Sequence, residues 1–211
     1  MPRVQPAQGD LSTSGTPTNE SNAETSAPRP TTGDTQVVKV KKYGVAFELP
    51  KAWVTIDAKA ALPGHTRNPV LDELADRMGT TPERLAQTLS SSVLTLSVSD
   101  KGAQHGFLDN VNSVGQDEVL TDDAIKLQLV ALGAKPGAFE HATSPAGDVT
   151  RVSYDLPTKA GFTVRAVVVA VTVEDATVFV TVSSSSAPGA AKIADQIQAS
   201  LETIPGHDTG A

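Results

Sequence analysis

The chain has 211 residues, 39% of them hydrophobic and 4% aromatic, so any core must be built mainly from Val, Leu, Ala and Ile. It contains no Cys, which excludes disulfides, thiolate metal sites and a cysteine nucleophile. The formal net charge of -7 repels nucleic acid and anionic lipid surfaces, so no nucleic-acid partner is expected.

The first 36 residues differ from the rest of the chain in composition. They include eleven Ser or Thr and five Pro, they contain no aromatic residue, and apart from Met1 their larger apolar side chains are Val4 and Leu11. Such a tract cannot bury enough apolar surface to offset its ordering entropy. We therefore predict a disordered Ser/Thr/Pro-rich stalk over residues 1–36, a single domain over residues 37–205 and a short flexible tail over residues 206–211.

The sequence leaves the cellular compartment open. No apolar run reaches the length of a signal-peptide core or a membrane span, so no membrane-spanning segment is expected in this chain. A stalk of this kind ahead of a compact domain commonly follows a cleaved export signal. We expect an extracytoplasmic or cell-envelope location if such a signal lies upstream of Met1, and a cytoplasmic location otherwise.

Residues 37–53, VVKVKKYGVAFELPKAW, alternate apolar and polar side chains twice. This pattern predicts two strands joined by a turn at Lys42 to Gly44. Trp53 follows as a core anchor, and the alternative is that it belongs to a ligand site. The lysines of this segment form a solvated strand face that discourages edge pairing, or else an anion-binding patch. These lysines are Lys39 and Lys41.

Residues 68–90 change to a helical period. The stripe of one predicted helix is Leu71, Leu74, Ala75 and Met78. A second helix begins in TTPERLAQTL, where Thr80 and Glu83 have the spacing of a capping box. The segment SVLTLSVSD then predicts a strand.

Residues 106–123, GFLDNVNSVGQDEVLTDD, pose a choice between a binding site and scaffold. Asn110 and Asn112 are expected to bond their own backbone in turns. Thr121 predicts the start of a helix that runs to Gly133, with two carboxylates near the positive end of its dipole and a buried stripe at its centre. That stripe consists of Ile125, Leu129 and Leu132. The functional alternative is a cation site formed by Asp117, Glu118, Asp122 and Asp123, although the spacing is not that of an EF-hand loop.

A loop rich in turn formers precedes three successive strands in the predicted order: AGDVTRVSYDL, GFTVRAVVVAVTVE and TVFVTVSSSS. The middle strand carries Val on both faces, which is typical of a central strand covered on both sides. A short turn at Glu174 to Ala176 joins the last two. A final helix is predicted from about Pro188 to Ile204 on the spacing of Ile193, Ile197 and Leu201.

No catalytic constellation is found, so no catalytic, cofactor-binding or metal-binding residue is assigned. The histidines stand alone in sequence, and none forms a metal-spaced pair on a helix. The nucleophile-elbow, dinucleotide and phosphate-loop motifs do not occur. Ser183 to Ser186 precede the final helix and are expected to cap it, with anion binding as the alternative. The four histidines are His65, His105, His141 and His207.

Four stretches carry a resemblance to a known group of folds: YGVAFELPKAW, GFLDNVNSVGQD, SPAGDVTRVSYDL and VFVTVSSSSAPGAAKIADQIQASLETI. In this order, across roughly residues 37–205, the chain resembles the PsbP-like group, which includes the photosystem protein PsbP, a eukaryotic Ran-binding protein and actinobacterial envelope lipoproteins of the LpqN and LpqT kind. The helical pair in residues 68–90 is most similar to the actinobacterial branch. The resemblance implies an α+β fold, with an antiparallel β-sheet flanked by helices in an α/β/α sandwich, and a non-enzymatic, partner-binding role.

Two function classes follow, with an enzyme as the third choice. The leading hypothesis is a non-catalytic adaptor at the cell envelope that binds another, unidentified protein and needs no cofactor. The alternative is a carrier of a small apolar molecule or lipid in a pocket between sheet and helices. An apolar cavity of several hundred Å³ would favour the carrier, and a filled core the adaptor.

Overall fold

A computed structural model describes residues 33–58, 69–89, 93–103, 107–159 and 161–204. The predictions made for residues 1–32, for the tail at 206–211 and for three histidines therefore lie outside the described residues. These histidines are His65, His105 and His207. The first strand begins at Thr35, slightly ahead of the predicted domain start at residue 37.

Within these ranges the chain forms ten strands and four α-helices. The strands are β1 (Thr35–Val40), β2 (Val45–Pro50), β3 (Val54–Asp57), β4 (Val93–Val98), β5 (Asn110–Gln116), β6 (Lys135–Ser144), β7 (Gly147–Pro157), β8 (Thr163–Val173), β9 (Ala176–Ser184) and β10 (Glu202–Thr203). The helices are α1 (Pro69–Met78), α2 (Pro82–Leu89), α3 (Asp122–Ala131) and α4 (Ala187–Ser200). A single 3₁₀ turn, Lys41–Tyr43, joins β1 to β2.

The strands form two antiparallel sheets. The larger sheet has seven strands in the order β3-β4-β5-β9-β8-β7-β6, and the smaller has three in the order β1-β2-β10. Helices pack on both faces of the larger sheet, which confirms the predicted α+β class. The two-residue turn between β8 and β9 is also confirmed, since Val173 pairs with Ala176.

One face of the large sheet is closed by α4 and the three-stranded sheet together. Alternate residues of β8 and β9 point toward this layer, and each is buried: Val167, Val169, Val171, Val178, Val180 and Val182. They pack against α4 through Ala194 and Ile197 and against β2 through Phe47 and Leu49. Trp53 lies in this cluster and is only 6% exposed, so it is a core residue. We call this side the α4 face.

The opposite face, which we call the α3 face, carries two separate apolar clusters. Leu71 and Leu74 of α1 and Leu85 of α2 pack over β3 and β4. Ile125 and Leu129 of α3 pack over the far half of the sheet, against β7, β8 and β9. Two helical layers therefore cover the two ends of this face separately.

Several of the sequence-based predictions about secondary structure are wrong. Residues 135–144, expected to be part of a loop, form β6, which pairs with β7 at the edge of the sheet. Because an edge strand is solvated and this one carries Pro136 and Gly137, it lacks the apolar alternation that identifies a strand. The last helix ends at Ser200 rather than Ile204, and the chain then pairs with β2 as β10.

Smaller differences concern helix faces and caps. Met78 is 41% exposed and Leu132 is 68% exposed, so neither belongs to the buried stripe predicted for it. The hydroxyl of Thr81, not Thr80, accepts a hydrogen bond from the amide of Arg84 at the start of α2 (3.3 Å). Helices α1 and α2 nevertheless begin at Pro69 and Pro82, close to the starts that the sequence predicts.

Candidate functional site

Two open clefts meet at the turn between β1 and β2, and Lys42 lines both of them. The first has a volume of about 290 Å³ and lies between this turn, the β8–β9 turn and the end of β10. The second, of about 230 Å³, lies between the end of β1, the turn and β4. The turn is closed by Gly44, whose positive φ of 62° suits glycine. The two clefts bring together residues from six parts of the chain.

A compact polar cluster of Lys42, Tyr43 and Asp117 lines the first cleft, and its Lys42 also lines the second. The ammonium of Lys42 donates to Oδ1 of Asp117 at 2.8 Å and to the hydroxyl of Tyr43 at 2.9 Å. The hydroxyl of Tyr43 in turn donates to Oδ1 of Asp117 at 2.7 Å. The ammonium also lies 4.7 Å from the centre of the Tyr43 ring, within range of a cation–π interaction. Three side chains from two distant segments therefore hold each other in one arrangement.

Gly115 makes room for this cluster. A Cβ atom at this position would lie 1.9 Å from Cε2 of Tyr43, so the ring rests directly on the backbone of β5. Any larger residue at position 115 would displace the ring and with it the hydroxyl that Asp117 accepts from. Nothing in the sequence alone marks Gly115 as a partner of Tyr43.

The cluster changes the proton affinity of its members. The hydrogen bond to Lys42, followed by that to Tyr43, lowers the pKa of Asp117 below its usual 3.8. The hydrogen bond to Asp117 raises the pKa of Lys42. The pKa of Tyr43 is raised chiefly by its burial. At neutral pH the cluster therefore consists of an ammonium, a neutral phenol and a carboxylate.

The far wall of the first cleft is the turn between β8 and β9. Glu174 adopts a positive φ of 52°, which is uncommon for a residue with a side chain and costs on the order of 1 kcal/mol or more. Glu174 and Asp175 line this cleft together with Asp117, so three carboxylates face the single ammonium of Lys42. The first cleft is therefore predominantly acidic.

The second cleft contains the lysines predicted as a possible anion-binding patch. Lys39, Lys41 and Lys42 all line it, against one carboxylate, that of Asp57. Lys41 and Asp57 form an ion pair with Nζ and Oδ2 3.6 Å apart. The structure thus brings Lys39 of β1 together with Lys41 and Lys42 of the turn at one cleft.

The alternative cation site in residues 117–123 is not assembled. Asp117 belongs to the cluster with Lys42, while Oδ2 of Asp122 lies 3.1 Å from Nε2 of His141, a residue that was predicted to stand alone. Within the described ranges, no group of three acidic or histidine side chains is arranged to hold a metal ion. Thr121 instead accepts from the amide of Ala124 (3.3 Å), which confirms the predicted helix start.

The other predicted candidates have structural roles. Asn112 lies within β5, not in a turn, and only Asn110 bonds nearby backbone, the carbonyl of Leu108 (3.1 Å). The hydroxyl of Ser186 accepts from the amide of Gly189 (3.2 Å), which confirms the predicted cap of α4. Among the described residues of this stretch, Asn110, Thr121 and Asp122 thus contact neighbouring parts of the fold, and Asp117 belongs to the cluster with Lys42.

A third cleft, of about 460 Å³, lies between the start of α4 and the β6–β8 end of the sheet. Arg151 and Arg165 line it, paired with Asp195 and Asp155 respectively. Like the other two, this cleft is open and carries charged side chains. These three clefts therefore lack the enclosed apolar character expected of a lipid carrier.

An exposed apolar surface lies on and beside α3. We call it the α3 surface; it consists of Val119, Leu127, Val130 and Leu132. Leu127 is 71% exposed and Val130 is 52% exposed, although α3 is anchored to the sheet by Ile125 and Leu129. Sequence reasoning missed this surface because it assigned Leu132 to the buried stripe.

In the part of the chain that the structure describes, no helix combines the length and the apolar character needed to cross a membrane.

Comparison with known proteins supports the fold and no more. No family model matches the sequence, and no curated protein sequence matches it. The solution structure of cyanobacterial PsbP (CyanoP) from Synechocystis sp. PCC 6803 is similar, with a TM-score of 0.51 and 10% identity over 81% of this chain and 92% of that chain. At this identity the likeness concerns the architecture alone. The predicted PsbP-like fold is thereby confirmed.

Proposed function

We propose that this protein is a non-catalytic adaptor that binds another protein through the α3 surface and acts at the cell envelope. The α3 surface is the observation that carries the proposal. It collects four of the seven large apolar side chains that are exposed among the described residues, the others being Val37, Val70 and Met78. Of these, Leu127 and Val130 are three residues apart on α3 and are therefore neighbours on its outer face, and exposed apolar patches are a feature of protein interaction sites.

The position of the α3 surface fits recognition by a partner. Helix α3 is held by its own buried stripe and by a capped start, so its outer face is presented on a fixed support. Charged and amide side chains surround the apolar ones on the same helix, including Asp123, Lys126 and Gln128. A small apolar centre with a polar rim is the usual composition of a transient protein interface.

The envelope location is the finer part of the proposal. It rests on the Ser/Thr/Pro-rich composition of residues 1–36 and on the resemblance of residues 68–90, which include α1 and α2, to actinobacterial envelope lipoproteins of the LpqN and LpqT kind. The carrier alternative has less support, because the described clefts are open and lined by charged side chains.

Site-specific photo-crosslinking tests the partner-binding surface. A photoreactive amino acid at position 127 should give a discrete protein adduct in cells that produce this chain, and Val130→Asp in the same chain should abolish it. The matched control places the same group at Lys192, an exposed residue of α4 on the opposite side of the sheet. Equal adducts at both positions, or none at position 127, would contradict the proposal.

Cell fractionation tests the location separately. If the protein acts at the envelope, antibody detection should find it in the envelope fraction and added protease should degrade it in cells whose outer layers have been opened. Recovery of all of the protein in the cytosolic fraction would contradict the envelope location. That result would not bear on partner binding through the α3 surface, which the crosslinking experiment tests independently.

A further inference from the structure

The second cleft, between the end of β1 and β4, combines an apolar floor with a cationic rim. The floor is formed by Val40, which is 1% exposed, and by the half-buried Leu94, with the buried Thr95 beside them. The hydroxyl of Thr95 lies 2.7 Å from that of Ser113 on the neighbouring strand. Because these two hydroxyls satisfy each other, the floor favours apolar groups of a ligand over water.

The rim carries more positive than negative charge. Lys39, Lys41 and Lys42 face the single carboxylate of Asp57. The Lys41–Asp57 pair is long and exposed, with Lys41 76% exposed, so solvent screens it and it contributes little to stability. Among the described residues, Lys39 has no ion pair at all. An incoming anion would therefore displace little of the existing structure.

The cluster described above orients the third lysine. Lys42 is held by Asp117 and by the ring and hydroxyl of Tyr43, on the side of the turn that faces the first cleft. This arrangement leaves Lys39 and Lys41 as the two ammonium groups able to move toward a ligand. Lys39 lies in β1 and Lys41 begins the 3₁₀ turn, on either side of the buried Val40, and both line this cleft.

The local charge contrasts with that of the whole protein. A net charge of -7 repels extended anionic surfaces, but screening at physiological salt limits each interaction to roughly 8–10 Å. The rim carries the ammonium groups of three lysines against the carboxylate of Asp57, with Asp117 paired to Lys42. A single small anion can thus be bound where an anionic membrane surface is repelled.

We propose that this cleft binds a small anionic amphiphile, with its phosphate or carboxylate group on Lys39 and Lys41 and its apolar part on Val40 and Leu94. The cleft volume of about 230 Å³ accommodates one such head group and a short apolar segment, not a whole lipid. This site is separate from the α3 surface, and it does not depend on the proposed adaptor function.

Titration with octyl phosphate tests the site directly. With the full chain labelled for NMR, octyl phosphate below its micelle concentration should shift the signals of Val40 and Leu94, and the affinity should fall as salt is raised. The variant Lys39→Gln/Lys41→Gln should bind about tenfold more weakly or worse, because two charge-assisted contacts are lost. The control Lys126→Gln/Lys192→Gln has the same change in net charge, at exposed positions on α3 and α4, and should bind like the parent.

Two further probes test the anionic group and the apolar chain of the ligand one at a time. Inorganic phosphate should bind more weakly than octyl phosphate and octanol more weakly still, since each lacks one half of the contacts. Equal binding of octyl phosphate by parent and Lys39→Gln/Lys41→Gln, with both shown to be folded by circular dichroism, would overturn the proposal. So would shifts that map outside the cleft, or octanol binding as tightly as octyl phosphate.

Discussion

The α4 face of the large sheet is covered by one continuous layer, whereas the α3 face is covered by two separate layers. On the α4 face, a helix and a second sheet share a single cluster that runs from Val38 in β1 to Leu201 after α4. On the α3 face, the cluster under α1 and α2 and the cluster under α3 have no member in common. The large sheet therefore has one continuous apolar core on its α4 face and two separate apolar cores on its α3 face.

Polar side chains of the central strands lie where the α3 face is divided. Asn110 and Asn112 of β5 pair across the ladder with Ser183 and Thr181 of β9, and all four are half-buried. Residues directly opposite each other in a ladder point to the same side, so these four form a polar strip between the two apolar clusters. The α4 face therefore carries the larger continuous core, whereas apolar side chains on the outer side of α3 are exposed to solvent.

The largest effect is expected from Trp53 on the α4 face. Trp53→Ala should lower the free energy of unfolding by about 3 to 5 kcal/mol, because it removes a large buried ring from the shared cluster. Urea unfolding followed by circular dichroism measures this, and Trp53→Phe should retain much of the stability. A nearly unchanged midpoint for Trp53→Ala, accompanied by loss of ligand binding, would place this residue in a site instead.

A smaller effect is expected at the buried stripe of α3. Leu129→Ala should cost about 2 to 3 kcal/mol, at the low end for such a change, because α3 is exposed on its outer side and its surroundings can relax. The same urea experiment checks this value. If Leu129→Ala lowers the free energy of unfolding as much as Trp53→Ala does, then the divided core of the α3 face is as rigid as the continuous core of the α4 face, which would contradict this comparison.

Little effect on stability is expected at the α3 surface itself. Leu127→Ser and Val130→Ser should each change the free energy of unfolding by no more than about 0.5 kcal/mol, since both side chains are largely exposed. The same changes should reduce crosslinking to a partner. A loss of several kcal/mol would show that these side chains support the fold of this chain.

The smallest effect concerns the Lys42–Tyr43–Asp117 cluster beside the α4 face. NMR titration should give Asp117 a pKa below 3.8, and Lys42→Met should raise that pKa toward 3.8, whereas Lys126→Met should not. Because the pKa of Asp117 is lowered in the folded state, its contribution to stability is present above the unfolded pKa and is lost as pH falls through the folded pKa. The group is fully exposed, so this contribution is small. An unshifted pKa in the parent would contradict the hydrogen-bonded geometry.

The sequence by itself determined most of the regular elements. Alternation identified β1, β2, β4 and the last three long strands, and helical spacing with capping residues identified all four helices. These signals are local: a strand or helix with one buried side must repeat its apolar residues at a fixed period. The start of α3 could be predicted from Thr121 because a capping hydroxyl lies next to the amides it accepts from. The PsbP-like resemblance rested on four sequence stretches that occur in the expected order along the chain.

Features that depend on distant segments could be decided only by the tertiary structure. Strand β6 is recognisable only beside β7, and β10 exists because the chain leaving α4 meets the edge of β2. Asp117 joins Lys42 and Tyr43 across 74 or more residues of chain, so no local spacing could separate it from Asp122 and Asp123. The exposure of Leu132 likewise follows from where the helix meets the sheet. Periodicity states which residues share a face of an element, but packing decides which of those faces is covered.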